Sequence, residues 1–261
     1  MEIGTNNMQV LPVTEENKNS PGVSVEIKNL QKSFNNKMVL KDINLTLARG
    51  ENLVVLGKSG SGKSVLIKCI VGLIEPDEGT VVVLGENIVD LEGKLLNDLR
   101  KKVGFLFQSD ALYDSMTVKE NLSFPLRRER AIKGQTLDSL VNEALQNVGL
   151  AEAINKMPSE LSGGMRKRIG LARTLILKPE IMLYDEPTTG LDPITAKEIS
   201  NLIIDVQKKY NTSSIIITHD IACAKITADR IIVIRDGLCA AEGTFEELQQ
   251  SEDPWIHSFF E

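Results

Sequence analysis

A glycine-rich loop in the first quarter of the chain has the residue types that bind phosphate. It reads GKSGSGKS, matches the pattern G-x-x-x-x-G-K-[ST] and follows the apolar run Leu53–Leu56. Glycines let successive backbone N–H groups turn towards phosphate oxygens, and the start of the next helix adds partial positive charge. We expect Lys63 to reach the β- and γ-phosphates of a nucleoside triphosphate and Ser64 to ligate Mg²⁺. The residues of this predicted P-loop are Gly57, Lys58, Ser59, Gly60, Ser61, Gly62, Lys63 and Ser64.

Two adjacent carboxylates follow a second apolar run. Ile181–Tyr184 leads directly to Asp185 and Glu186, and ligands bind at the carboxyl ends of strands in open parallel sheets. We expect Asp185 to hold Mg²⁺, directly or through water, and Glu186 to polarise an attacking water. Two solvated acids at a strand end would be common on their own, but a P-loop in the same chain favours the catalytic interpretation.

A second potential anion-binding loop lies between the P-loop and the paired carboxylates. Its sequence, LSGGM, opens a predicted helix with Ser162, Gly163 and Gly164. A Ser and two Gly at a helix start can bind an anion, and the Ser can also cap the helix. Because one nucleotide does not need two such loops from one chain, we expect this loop to contact a γ-phosphate bound by a neighbouring subunit. A simple N-cap at Ser162 is the alternative, and the two are compatible.

The elements that must position these residues form an α/β pattern. Short apolar runs recur at Leu53–Leu56, Ile181–Tyr184, Ile215–Ile217 and Ile231–Ile234, separated by helical patterns. Strands that crossover helices bury on both faces have this composition, so the pattern predicts a mostly parallel sheet. We expect a flexible lead at residues 1–22 and one domain at 23–261. The domain has a helical insertion at about 110–177 and a tail helix at about 252–261.

Composition excludes several classes of protein. The chain has 261 residues, 42% of them hydrophobic, and a net charge of −6, which is typical of a globular protein. No apolar run approaches the roughly 18 residues of a membrane span, and the N-terminus lacks the pattern of a signal peptide. The three Cys are far apart, so neither a disulfide framework nor a zinc site is expected. The acidic balance argues against bulk binding of nucleic acid.

Together the P-loop, LSGGM and the segment LYDEPTTGLDP, in this order and spacing, resemble the ATP-binding cassette (ABC) ATPase family over about residues 23–249. The resemblance implies a P-loop NTPase (RecA-like) core with an N-terminal antiparallel β part and an inserted helical part. It also implies hydrolysis of ATP to ADP and phosphate with Mg²⁺, by a homodimer in which Ser162 and Gly164 of each subunit complete the other's site.

The resemblance assigns roles to four more residues. Phe34 resembles the aromatic that stacks on adenine, and Gln108 the glutamine that approaches Mg²⁺ and the attacking water. Asp192 resembles the aspartate of the loop after the catalytic glutamate, and His219 the histidine that holds the γ-phosphate. Each has a structural alternative: core packing for Phe34, a surface polar role for Gln108, and a hydrogen-bonded structural role for His219.

Segments outside the core motifs resemble one subgroup, the ATPase subunits of mammalian-cell-entry (MCE), or Mla-like, lipid transport systems. They are the stretch Val103–Leu126, the MRKR that starts at Met165, the DPITA that starts at Asp192, and the ending DPWIHSFF. The resemblance implies phospholipid transport through an integral-membrane permease at the cytoplasmic face of the inner or plasma membrane. An MCE-domain protein and a small regulatory subunit are further expected partners. The alternatives are a small-solute transporter and, less favoured, a scaffold that binds nucleotide without hydrolysis.

Three surface features have competing interpretations. The apolar stretch Ala111–Tyr113 could receive the permease or pack in the core. The tail residues Trp255, Phe259 and Phe260 could pack on their own domain or on a second subunit, and we favour the second subunit. We interpret the basic clusters as solvated helix faces, with binding to acidic partner surfaces as the alternative; they are Arg127, Arg128 and Arg130, and Arg166, Lys167 and Arg168.

Overall fold

The computed structural model describes residues 22–127 and 135–260. The predicted lead up to residue 21, as well as Arg128 and Arg130, therefore lies outside the described residues. The strands are β1 Val23–Phe34, β2 Lys37–Ala48, β3 Asn52–Leu56, β4 Glu78–Val83, β5 Glu86–Asn87, β6 Val103–Leu106, β7 Ile181–Asp185, β8 Ser213–Thr218, β9 Arg230–Arg235 and β10 Leu238–Gly243. The α-helices are α1 Lys63–Ile70, α2 Gly93–Lys101, α3 Val118–Leu126, α4 Gln135–Asn147, α5 Gly163–Leu175, α6 Pro193–Tyr210, α7 Ile221–Thr227, α8 Phe245–Gln249 and α9 Pro254–His257.

The strands of the described residues form one mixed sheet with the order β5-β4-β1-β2-β10-β9-β3-β8-β7-β6. At one end, β1, β2, β4 and β5 pair antiparallel. At the other end, β9, β3, β8, β7 and β6 run parallel, as the short apolar runs predict. The fold is thus the P-loop NTPase type, with an antiparallel part joined to a parallel core.

Alternate residues of the parallel strands pack into two separate cores, one on each face of the sheet. In β3, Val54 and Leu56 face the core that contains α3 to α6, whereas Leu53 and Val55 face the core that contains α1. This two-sided burial explains why the strands are apolar throughout rather than alternating.

The carboxyl ends of four neighbouring parallel strands lie at the same edge of the sheet. Leu56 of β3 pairs with Thr218 of β8, and Ile217 pairs with Asp185 of β7. The P-loop follows β3, and Glu186, His219 and Gln108 follow β7, β8 and β6 within two residues. Strands that are remote in sequence therefore bring these four groups to one site.

Candidate functional site

The P-loop turns sharply from β3 into α1. Gly62 has a φ of 102°, and a Cβ atom there would lie 2.7 Å from Leu40 Cδ2, so only glycine fits. The first amides of α1 have no acceptor within the helix, and Ser61 Oγ is buried with no hydrogen-bond partner among the described residues. These unsatisfied donors fit the oxygen atoms of a phosphate group.

Lys63 is buried at the floor of this loop, with 6% of its surface exposed. Its Nζ donates to the carbonyl oxygens of Gly57 at 2.7 Å and Lys58 at 3.2 Å, and lies 3.9 Å from Glu186 Oε1. Burial lowers the pKa of Lys63, whereas the carboxylates of Glu186 and Asp185 oppose that shift. The ammonium group therefore donates to two backbone carbonyl oxygens, and the more strongly charged oxygens of a bound phosphate could replace them as acceptors.

Asp185 and Ser64 supply oxygen atoms to the same edge of the loop. Ser64 Oγ donates to Asp185 Oδ1 at 3.3 Å. Burial raises the pKa of Asp185, the hydrogen bond from Ser64 lowers it, and the neighbouring Glu186 raises it further. No group of three or more His, Cys, Asp or Glu side chains that could hold a metal occurs among residues 22–127 and 135–260. A hydroxyl and one carboxylate still suit Mg²⁺, which takes further ligands from phosphates and water.

Glu186 and His219 form a hydrogen-bonded pair beside Lys63. Glu186 Oε2 lies 2.8 Å from His219 Nδ1, and Thr189 Oγ1 donates to the same oxygen at 3.2 Å. The backbone of Glu186 has a φ of 51°, and its N–H donates to Ile217 O at 2.9 Å. Strain of this kind in a non-glycine residue is common at functional sites. The imidazole of His219 is 61% exposed, so a ligand can reach it.

These groups surround one cavity of about 640 Å³. The cavity contains much of the predicted site, but it also includes three side chains that the sequence did not place there, Val39, Val65 and Phe259. Predicted residues among its lining are Gly57, Lys58, Ser59, Gly60, Gly62, Lys63, Ser64, Gln108, Glu186 and His219. Phe34 is not part of this lining; it ends β1, is 42% exposed, and its ring centroid lies 5.5 Å from Lys32 Nζ.

The LSGGM loop and Asp192 lie outside that cavity. Ser162 caps α5, accepting from Met165 N at 3.3 Å, and is exposed. Asp192 caps α6 by accepting from the amides of Ile194 at 3.1 Å and Thr195 at 3.0 Å, and hydrogen bonds from Thr195 lower its pKa. Both residues therefore have local structural roles in the single chain, and both remain accessible to a second molecule.

Lys167 corrects the interpretation of its basic cluster as a solvated helix face. The side chain is only 4% exposed; its Nζ lies 2.9 Å from Asp110 Oδ1 and donates to the backbone oxygen of Gln108. Arg173, two turns along α5, donates to Ala111 O at 2.7 Å. The helix that LSGGM opens thus holds the loop that contains Gln108. Sequence reasoning missed this link because a lysine between two arginines carries no local signal of burial.

Replacing Lys167 by Met should cost about 3 kcal/mol in the free energy of unfolding, because the largely buried carboxylate of Asp110 loses its partner. Urea denaturation measures this loss. The double variant Lys167→Met with Asp110→Asn should recover most of it, since no unpaired charge then remains and asparagine tolerates the positive φ of 59° at this position. Equal stability of the wild type and the single variant would contradict the proposed pairing.

A second cavity of about 430 Å³ lies on the face of the molecule that carries α2, α3 and α5. Tyr113 is 44% exposed there; its ring lies 4.8 Å from that of Phe124 and 5.7 Å from the guanidinium of Arg173. Leu112 packs on the core. The two interpretations of Ala111–Tyr113 therefore apply to different residues: Leu112 is partly buried against the core, and Tyr113 lines an apolar groove with a cationic rim. Other lining residues include Arg100, Lys101, Phe105 and Leu177.

The chain matches a known protein family over more than half of its length. A family model described as "ABC transporter" matches residues 40–189. The chain is 40% identical over 238 residues to the "probable ribonucleotide transport ATP-binding protein mkl" of Mycobacterium tuberculosis, covering 91% of this chain and 66% of that one. It therefore spans about two thirds of the length of the mycobacterial relatives it matches.

Two further relatives have names that suggest different substrates. The "intermembrane phospholipid transport system ATP-binding protein MlaF" of Haemophilus influenzae is 37% identical over 235 residues, covering 90% and 89% of the two chains. The "methionine import ATP-binding protein MetN" of Clostridium acetobutylicum is 40% identical over 224 residues, covering 86% and 70%. Among solved structures, a post-hydrolysis dimer of an ATP-binding cassette with ADP and Pi has a TM-score of 0.78 at 33% identity, covering 85% and 98%.

Proposed function

Because the chain belongs to the ABC transporter family, we propose that it is the ATP-hydrolysing subunit of a transporter that moves phospholipid through a partner permease. The observation that carries the proposed hydrolysis is the pair of Glu186 and His219 beside Lys63, at the edge where four parallel strands end. A chain that only bound nucleotide would not need a carboxylate held beside a histidine at this point.

The proposed reaction needs positioning and charge stabilisation more than covalent chemistry. Lys63 and the P-loop amides bind the β- and γ-phosphates. Ser64, Asp185 and Gln108 would hold Mg²⁺, which would neutralise charge on those phosphates. Glu186 orients and deprotonates the attacking water, a role worth about 10²–10⁴-fold in rate. His219 contacts the γ-phosphate and, through its hydrogen bond, keeps the Glu186 carboxylate aimed at the water.

A second copy of the chain completes the proposed site. Ser162, Gly163 and Gly164 lie at the start of α5, outside the cavity of their own chain; Ser162 is exposed, Gly163 is half-buried and Gly164 is buried. A helix start binds anions well, so the γ-phosphate of an opposing subunit is a suitable ligand, with Asp192 close to the same surface. Hydrolysis would then require closure of the dimer, and reopening of the dimer would drive the conformational change in the permease.

The groove lined by Tyr113 and Phe124 is the proposed contact with the permease. None of the helices in the described ranges combines the length and hydropathy of a transmembrane helix. We propose that this groove attaches the chain to the membrane through its partner, at the cytoplasmic face. An apolar floor with a cationic rim of Arg100, Lys101 and Arg173 suits an amphipathic helix with acidic side chains. An MCE-domain protein and a small regulatory subunit are the further partners we propose.

The lipid substrate is supported by the similarity to MlaF and by the MCE-like segments after Gln108 and at the C-terminus. The similarity to MetN, which covers most of both chains, supports a second candidate, the cassette of a small-solute importer. Both candidates use the same ATPase chemistry, so the substrate must be tested through the permease.

The test is an ATPase assay of the complex with the permease that copurifies with the full chain. Phospholipid liposomes should stimulate hydrolysis several-fold over detergent, whereas methionine and other amino acids should not. Stimulation by an amino acid with no response to phospholipid would favour the importer. Absence of hydrolysis under all conditions, with ATP still bound, would favour the non-hydrolysing scaffold.

Replacing Tyr113 by Ala should weaken binding to the permease by about 2 kcal/mol, or ~30-fold, which is typical of an aromatic anchor in an interface. Copurification and a binding titration measure the loss. The isolated chain should hydrolyse ATP as before, because Tyr113 does not line the nucleotide cavity. Leu238→Ala, at an apolar residue of β10 with similar exposure, is the matched control. Unchanged copurification of Tyr113→Ala would argue against the groove.

A further inference from the structure

The C-terminal tail of the chain reaches the nucleotide cavity. Phe259, just after α9, is part of the cavity lining together with the P-loop. The motif assignments account for the loop, the carboxylates, Gln108 and His219, and they leave this aromatic ring without a role. The position of Phe259 is fixed by contacts of the residues around it, Trp255 and Phe260, with the rest of the chain.

Two anchors hold the tail. Ile256 and Phe260 are buried, and the Phe260 ring packs edge-on against Phe245 of α8 with 5.1 Å between centroids. These contacts are with the tail's own chain, which differs from the packing on a second subunit that we favoured from the sequence. The three aromatic residues also do not form one cluster: Phe260 enters the core, whereas Trp255 and Phe259 pair on the side of the P-loop, 4.8 Å apart.

The second anchor joins the tail to the P-loop. The indole of Trp255 lies 4.6 Å from the guanidinium carbon of Arg235 and 6.0 Å from Nζ of Lys58. Arg235 ends β9 and Lys58 is the second residue of the P-loop. Cations at such distances from an indole face are attracted to it, so Trp255 holds α9 against the loop.

The cavity has a polar and an apolar part. Its phosphate part is formed by the P-loop and Lys63, and charged or polar groups complete it. The apolar side chains of the lining are Val39, Val65 and Phe259. Val65 follows Ser64 in α1, and Val39 lies beside Gly62 of the P-loop, where its Cγ1 would be 3.3 Å from a Cβ atom. Phe259 is the aromatic side chain of this lining. Phe34 does not line the cavity.

We propose that Phe259 is a nucleotide-binding residue that packs against the base of a nucleotide held by its own chain's P-loop, and that Trp255 positions it. This inference rests on the proposed function, because it concerns the same site. A purine base offers a flat, apolar π-face, and an aromatic side chain stacks on such a face with useful affinity.

The test compares two ligands on full-length protein by titration calorimetry. ADP carries a base, and inorganic tripolyphosphate does not. Phe259→Ala should weaken ADP binding by ~10-fold, the order of one lost stacking contact, and should leave the affinity for tripolyphosphate unchanged. Phe259→Tyr, which keeps the ring, should bind ADP as the wild type does. Leu95→Ala, at an exposed residue of α2, is the control.

Unchanged ADP binding by Phe259→Ala would overturn the inference, and so would an equal loss of both ligands, since the tail would then act on the P-loop rather than on the base. A wild type that bound neither ligand would instead refute the proposed function. Trp255 is the only tryptophan in the chain, so its fluorescence should change on addition of ADP. That change should not depend on protein concentration; a signal seen only at concentrations that form dimers would overturn packing against the tail's own P-loop.

Discussion

Replacing Glu186 by Gln should lower the rate of ATP hydrolysis by about 10²–10⁴-fold while ATP still binds. The amide keeps the shape of the carboxylate and can still meet His219 Nδ1, which lies 2.8 Å from Glu186 Oε2 in the wild type. It cannot take a proton from water. It also removes a negative charge from the region of the γ-phosphate, so bound ATP should be retained.

The same variant should accumulate as a closed dimer in the presence of ATP and Mg²⁺. If hydrolysis is what reopens the dimer, a chain that binds but does not hydrolyse cannot leave the closed state. Phosphate release measures the rate, and size-exclusion chromatography with light scattering measures the dimer. Glu180→Gln, the same change at an exposed residue before the opposite end of β7, should leave both properties unchanged. Hydrolysis at the wild-type rate by Glu186→Gln would refute its role as the base.

Replacing Lys63 by Ala should weaken ATP binding by at least about 100-fold, because the phosphates lose charge-assisted hydrogen bonds in a buried site. The Nζ atom is already held 2.7 Å from Gly57 O, so the lysine loses little freedom when ATP binds. The fold should persist, since burial disfavours this ammonium group, as the lowered pKa of Lys63 indicates.

Calorimetric titration with ATP measures the affinity, and circular dichroism confirms that the variant is folded. Lys94→Ala removes an exposed lysine of α2 and should bind ATP normally. Tight ATP binding by a folded Lys63→Ala protein would be incompatible with the proposed role of the P-loop lysine. Loss of affinity in both variants would point to net charge rather than to Lys63.

Local sequence was sufficient to predict the parallel core and the P-loop. A strand that is buried on both faces must be apolar throughout, and Leu53–Leu56 followed by glycines satisfies that rule without any knowledge of its neighbours. The paired acids Asp185 and Glu186 could be predicted for the same reason, because they directly follow such a run. The spacing of residues along the chain was enough to predict a feature wherever its residues belong to one turn or to the end of one strand.

Contacts between remote segments could not be predicted in this way. Lys167 reads as a surface residue between two arginines, yet it is buried because α5 packs against the loop after β6, where Asp110 and the Gln108 carbonyl compensate its charge. The sequence suggests packing on the own domain or on a second subunit for Phe259, yet this residue lines the cavity of the P-loop, between Phe260, which packs on Phe245, and Trp255, which lies beside Lys58. The local sequence indicates which residues form a strand, a turn or a helix. Which side chain compensates a buried charge, and which residues line a cavity, depends on the distant segments that the packed sheet and helices bring together.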